Sequence, residues 1–154
     1  MPSMQTHRTE SSGAAEIEQL NSFLRGEISA VETYRQVLDR VGSLPEAAEL
    51  RDCMRSHEHR VMRLREEISR RGGRAAETSG PWGALVKLIE ASAKAFGAKA
   101  AIAVLEEGED HGRNEYQRDV GALGRDARLL VEQYLLPEQL RTHAVISRLE
   151  RMLP

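Results

Sequence analysis

The chain has 154 residues, with 22 Lys and Arg against 24 Asp and Glu, a formal charge of −2, one Cys and 4% aromatics. That length fits one domain with a real core, and the near-neutral balance excludes a dedicated nucleic-acid or anionic-membrane binder, whose footprint is positive. The lone Cys53 closes no internal disulfide, and neither a membrane-length apolar run nor a signal-peptide core is present, so a cytoplasmic protein without a membrane partner is expected. Ala and Leu supply 35 residues against 20 for Val, Ile and Thr, which makes all-α the expected fold class.

Residues 1–13 are polar and lack apolar periodicity, and they read as a disordered tail ahead of a domain over 14–154. A first helix over 14–41 follows from apolar spacings of three and four at Ile17, Leu20, Leu24, Val31, Tyr34, Leu38 and Val41. Gly42 ends it, and Ser43 with Glu46 offers a capping box for a second helix over about 45–71. After the Gly72, Gly73, Gly80 and Pro81 punctuation, 82–96 reads as a short helix ending at Gly97, and 98–123 as the third long helix. The fourth, over about 126–153, must bend near Leu136, because Pro137 lacks a backbone donor. Four long helices with one long connection describe a bundle with a single crossover.

Polar residues inside the apolar seams carry the functional signal. Glu27, His57 and Glu109 stand in the first three seams, and His143 shares a face with Leu136, Leu140, Ile146, Leu149 and Leu153. Glu27 lies 14 residues before Val41 and His57 lies 12 after Pro45, which puts the two within about 5 Å in height along an antiparallel hairpin. Glu109 and His143 match in the same way, so the four are expected to share one layer. Isolated charges in a dry core must pair, neutralise or bind metal, and two carboxylates with two imidazoles suit iron, zinc or manganese. Tyr34 follows Gly26-Glu27, and Tyr116 follows Gly108-Glu109, each seven residues after its Glu and hence on the same face. These tyrosines are read as core residues or as donors to the carboxylates. The matching glycines predict close approach of the first and third helices. Glu106, one turn before Glu109, is a candidate supporting or bridging carboxylate, whereas His59 and His111 fall off the seams and read as surface residues. The basic residues Arg63, Arg65, Arg70, Arg71 and Arg74 are interleaved with Glu66 and Glu67 at a helix C-terminus, where positive charge is favoured without a nucleic-acid partner.

The two Gly-Glu-(six residues)-Tyr elements resemble the first and third bundle helices of the ferritin-like superfamily, particularly rubrerythrin-type proteins. His57-Glu58-His59, Arg71-Gly72-Gly73, Gly80-Pro81-Trp82-Gly83 and Leu105-Glu106-Glu107-Gly108-Glu109-Asp110 look more specifically like a bacterial ferritin-like family of unknown function, a resemblance covering roughly 15–153. It implies a ferritin-like four-helix bundle with a short extra helix in the long crossover between the second and third helices, and a role in metal handling or redox chemistry under stress. Such bundles often pair, and the Ala-rich start of the third helix would allow a homodimer. Ferritin-like di-iron sites take a Glu from two helices and Glu-x-x-His from the others. Here Met54 and Leu140 stand three residues before His57 and His143, so the expectation is a reduced site of Glu27, His57, Glu109 and His143 holding iron, zinc or manganese, rather than a di-iron oxidase. The competing reading is a structural or interaction bundle whose Glu and His residues form a metal-free hydrogen-bond network. Whether the chain is an enzyme stays open between them.

Overall fold

A computed structural model describes residues 3–80 and 97–154 of the chain, and every described element is helical. Helix α1 runs over Ser3–Val41 and buries Leu20, Phe23, Leu24, Glu27, Ile28, Val31, Tyr34, Val37 and Val41 along one stripe. It starts eleven residues earlier than the apolar periodicity, and residues 3–13 of the segment read from sequence as a tail are its first turns. Glu10 and Ser12 to Ala15 are exposed, so propagation from a formed helix, which is cheap once nucleation is complete, carries α1 outward there rather than burial.

The turn after α1 is tied by backbone bonds, Leu44 N to the Val41 carbonyl at 2.9 Å and Ala47 N to the Leu44 carbonyl at 3.1 Å. The expected Ser43–Glu46 capping box is not made: Glu46 is the N-cap residue in helical conformation, with no side-chain cap bond. Helix α2, Ala47–Arg70, buries Leu50, Cys53, His57, Arg60, Val61, Leu64 and Ile68. Gly72 at φ 74° and Gly73, whose N bonds the Ile68 carbonyl at 2.9 Å, end it. The chain then lies along α1, where buried Asn21 bonds the Arg74 carbonyl at 2.9 Å and the Ala76 N at 2.7 Å. The expected short helix over 82–96 lies outside the described residues.

Helix α3, Ala98–Asp119, closes in a short 3-10 turn, Val120–Ala122. The last rod consists of α4, Arg125–Leu130, a π-helical turn, Val131–Leu135, and α5, Leu136–Met152, with Pro137 in the first turn of α5. The bend expected from Pro137 thus takes the form of a wide turn. Steps of four residues drift by about 40° each around a straight α-helix, and the π turn absorbs that drift so that Ala127, Val131, Leu135 and Gln139 are all buried. Beyond it Thr142, Ile146 and Leu149 continue the buried stripe, while Leu140, assigned to the seam from sequence, is 43% exposed.

α1 packs against α2 and α3, and α5 packs against α3 and α2. One apolar cluster (Leu20, Phe23, Leu24, Leu64, Ile68, Tyr116, Val131 and Leu135 among its members) fills the end near the start of α1. A second, including Tyr34, Val37, Leu50, Cys53, Ile102, Leu105 and Ile146, fills the other end, and a polar layer separates them. No described helix is long and apolar enough to cross a membrane.

The paired glycines do not mark close helix approach as expected. A Cβ at Gly108 meets nothing within 4 Å, and one at Gly26 meets only Glu115 Oε2 at 3.5 Å. Close approach occurs instead at Gly112, where a Cβ would stand 2.9 Å from Gln139 Nε2. Gly108→Ala should therefore stabilise the fold by about 1 kcal/mol through helix propensity. Gly112→Ala should destabilise it by about 1–3 kcal/mol through overpacking. Urea unfolding of the two variants checks both signs.

Candidate functional site

The polar layer is built from one or two residues of each long helix. Glu27 stands on α1, His57 and Arg60 on α2, Glu109 on α3, and Gln139 and Thr142 on α5; all six are buried, Arg60 completely. His57 bridges the carboxylates, with Nδ1 2.6 Å from Glu27 Oε2 and Nε2 2.9 Å from Glu109 Oε1. An ionised carboxylate only accepts, so contact at both ring nitrogens assigns a proton to each and makes His57 an imidazolium. Arg60 Nη1 donates to Glu27 Oε1 at 3.1 Å and also to Gln139 Oε1, and Nη2 donates to Thr142 Oγ1 at 3.3 Å. Two carboxylates thus meet an imidazolium and a guanidinium, and the layer is neutral.

The tyrosines cross between the halves of the bundle. Tyr34 of α1 donates to Glu109 Oε1, and Tyr116 of α3 donates to Glu27 Oε1 at 2.6 Å. Gln139 Nε2 and Thr142 Oγ1 complete Glu109 Oε2 at 2.7 and 2.8 Å. All four oxygens of the two carboxylates therefore hold hydrogen bonds, and both His57 nitrogens are engaged. A cavity of about 50 Å³ between α1 and α3 reaches the layer itself, with Glu27, His57 and Glu109 lining it alongside Phe23, Leu105 and Glu115.

Electrostatics follow from this packing. Burial raises the Glu27 carboxyl, but Arg60, His57 and the Tyr116 hydroxyl outweigh it and leave the pKa below the usual carboxylate value. Glu109 is lowered against burial by His57, Arg60 and Tyr34. His57 is disfavoured as a cation by burial and Arg60, yet Glu109 and Glu27 prevail and raise it. Burial and then Glu109 push the nearby Cys53 thiol up to about 12.

Of the residues singled out from sequence, Glu27, His57 and Glu109 converge, and Tyr34 and Tyr116 bond their carboxylates. His143 does not join them. It faces away from the layer on α5, with Nε2 3.3 Å from Glu106 Oε1. Glu106 accepts a hydrogen bond from Ser147 at 2.6 Å and pairs with His143 rather than with Glu27 or His57. Arg60, Gln139 and Thr142 escaped the sequence reading. Their signal was spacing, since Arg60 follows His57, and Thr142 follows Gln139, by the three residues that put both members of a pair on one helix face. As arranged, the carboxylate oxygens accept from an imidazolium and a guanidinium, and a metal ion in the layer would have to displace both.

Arg60→Leu should destabilise the protein by about 3–5 kcal/mol, because it leaves buried carboxylate charge uncompensated; chemical denaturation measures this. The pH dependence has two limbs. The lowered Glu27 and Glu109 contribute stability that is complete above about 4.5 and lost as pH falls through their folded values. The raised His57 contributes stability that is complete below about 6.5 and lost as pH rises through its folded value. Melting temperature should accordingly peak between these limits, and His57→Gln should flatten the alkaline limb.

The family model described as Domain of unknown function (DUF2383) matches residues 15–120, a span containing α2 and α3 entire, most of α1, and the Glu27, His57, Arg60 and Glu109 positions. No curated protein and no solved structure matches the chain. The match covers more than half of the sequence, and the chain belongs to the DUF2383 family.

Proposed function

We propose that this chain is a non-catalytic, ferritin-like structural or interaction bundle in which an arginine, a histidine and two carboxylates form a hydrogen-bond network where a metal centre would otherwise stand. Arg60 carries this reading. A ferritin-like centre takes Glu-x-x-His from two of its helices. The pairs at that spacing which reach the layer here are His57 with Arg60 and Gln139 with Thr142. Each supplies hydrogen-bond donors to the carboxylates in place of metal ligands. A fixed guanidinium charge, buried and bonded to Glu27, Gln139 and Thr142, opposes a cation at the same place. The working surfaces on this reading are external, with a second copy of the chain or another cytoplasmic protein as partner.

Convergence of Glu27, His57 and Glu109 favours a second reading, in which the layer handles iron, zinc or manganese in a stress-related redox role. It requires His57 and Arg60 to leave their carboxylates, and it works without His143. Metal analysis of the purified full chain, followed by titration with Fe²⁺, Zn²⁺ and Mn²⁺, separates the two. The expected result is no metal binding that depends on Glu27 or His57, and a melting temperature indifferent to chelator. Stoichiometric metal that disappears in folded Glu27→Gln and His57→Ala variants would overturn the metal-free reading.

A further inference from the structure

The second half of α2 faces α4 and the π turn across an open cleft of about 680 Å³, with Arg63 and Glu67 in one wall and Leu129, Leu130 and Tyr134 in the other. Leu130 and Tyr134 pack on the apolar cluster beneath, and Leu129 is 38% exposed. The volume falls in the range of small-molecule sites, about 300–1,000 Å³. The cleft shares no residue with the polar layer.

Arg63 gives the cleft its chemistry. Its guanidinium carbon stands 4.8 Å from the centre of the Tyr134 ring, a cation–π contact that joins the two walls and fixes where the fork sits. Among the described residues no oxygen accepts from its N–H groups. The other cations of the cleft are answered: Arg71 bonds Glu67 at 2.9 Å and also Glu16, and Arg70 lies 3.5 Å from Glu67. A guanidinium positioned by an aromatic face and left without an acceptor presents a rigid donor fork, which matches a carboxylate or a phosphate.

Charge is also graded along the cleft. Asp126 lines it about 12 Å before Tyr134 along the last rod, and Glu67 stands one turn beyond Arg63 on α2. Both acidic groups therefore lie on the side away from the Arg63–Tyr134 pair, and Leu129 and Leu130 fall between Asp126 and Tyr134. An anionic group is repelled at the far end and attracted at the near one, while the leucines offer apolar surface to whatever it is attached to.

We propose that this cleft binds a small organic anion, a carboxylate or a phosphate ester with an apolar body, its charged group on Arg63 and its body along Leu129 and Leu130. No side chain has to move, because Arg63 and Tyr134 already line the cleft. The site is independent of the polar layer and of the function proposed for it. The test titrates the full-length protein with 8-anilinonaphthalene-1-sulfonate, followed by its fluorescence, beside the uncharged N-phenyl-1-naphthylamine. The sulfonate should bind at one saturable site and more tightly than the uncharged analogue. Arg63→Gln should weaken it by about tenfold, Arg63→Lys should recover part of the loss, and Tyr134→Leu should weaken it by about threefold. Tyr134→Phe, which keeps the ring, and Arg55→Gln, elsewhere on α2, should leave it unchanged. Benzoate and phenyl phosphate are then used to displace the probe, and the stronger competitor identifies the natural headgroup as carboxylate or phosphate. Melting curves show that the variants are folded. Absence of saturable binding at millimolar probe, binding indifferent to both Arg63→Gln and Tyr134→Leu, equal binding of the uncharged analogue, or displacement by neither competitor overturns the proposal.

Discussion

Burying the charge of Arg60 is the constraint around which the bundle is arranged. A guanidinium with no solvent exposure is tolerable only if opposite charge and acceptors surround it; α1 and α5 supply its hydrogen-bond partners, and Glu109 of α3 adds opposite charge. Both cations of the layer belong to α2, one carboxylate belongs to each of α1 and α3, and α5 contributes neutral side chains. Sliding any helix by one turn, about 5.4 Å, would break these contacts together. The apolar clusters above and below could tolerate such a slip far better, since hydrophobic contact is non-directional. The polar layer therefore sets the register while the apolar clusters supply most of the burial.

The same layer fixes protonation states. Tyr34 and Tyr116 are raised well above the ordinary tyrosine value, by burial and then by Glu109 and Glu27 respectively. The Cys53 thiol is pushed in the same direction. Groups that would act as nucleophiles or donate electrons as anions are kept protonated, while the carboxylates that could act as bases are kept ionised and fully hydrogen-bonded. Such an arrangement holds protons in place rather than passing them on, in keeping with a structural role for the centre.

Much of this was legible in the sequence because polar residues interrupt otherwise regular seams. Glu27, His57 and Glu109 stood out in that way, and the repeated Gly-Glu and Tyr pattern anticipated the two tyrosine contacts. Arg60 did not stand out, because Val61 beside it satisfies the seam and a long charged side chain is almost never fully buried. The fourth helix was misread for a related reason. Leu140 is apolar and Gln139 and Thr142 are not, so periodicity favoured the face that carries His143, although the buried face at that height is polar. Local signals also competed with tertiary ones: the capping box gave way to a backbone-tied turn, and helix propagation extended α1 into a segment without apolar pattern.

The crossed tyrosines and the uneven distribution of charge bear on which halves of the chain can pair. The α1–α2 hairpin brings Glu27, His57 and Arg60 to the layer and so carries a net charge of one positive unit there, while the α3–α5 half brings Glu109 alone and carries one negative. Joining two copies of the first half would bury a double positive charge, and joining two of the second a double negative, whereas the two unlike halves cancel. Repetition within a chain ordinarily invites like segments to exchange between neighbouring molecules. Here the charge difference between the halves penalises like-with-like pairing and favours a first half against a second half, whichever molecule supplies each.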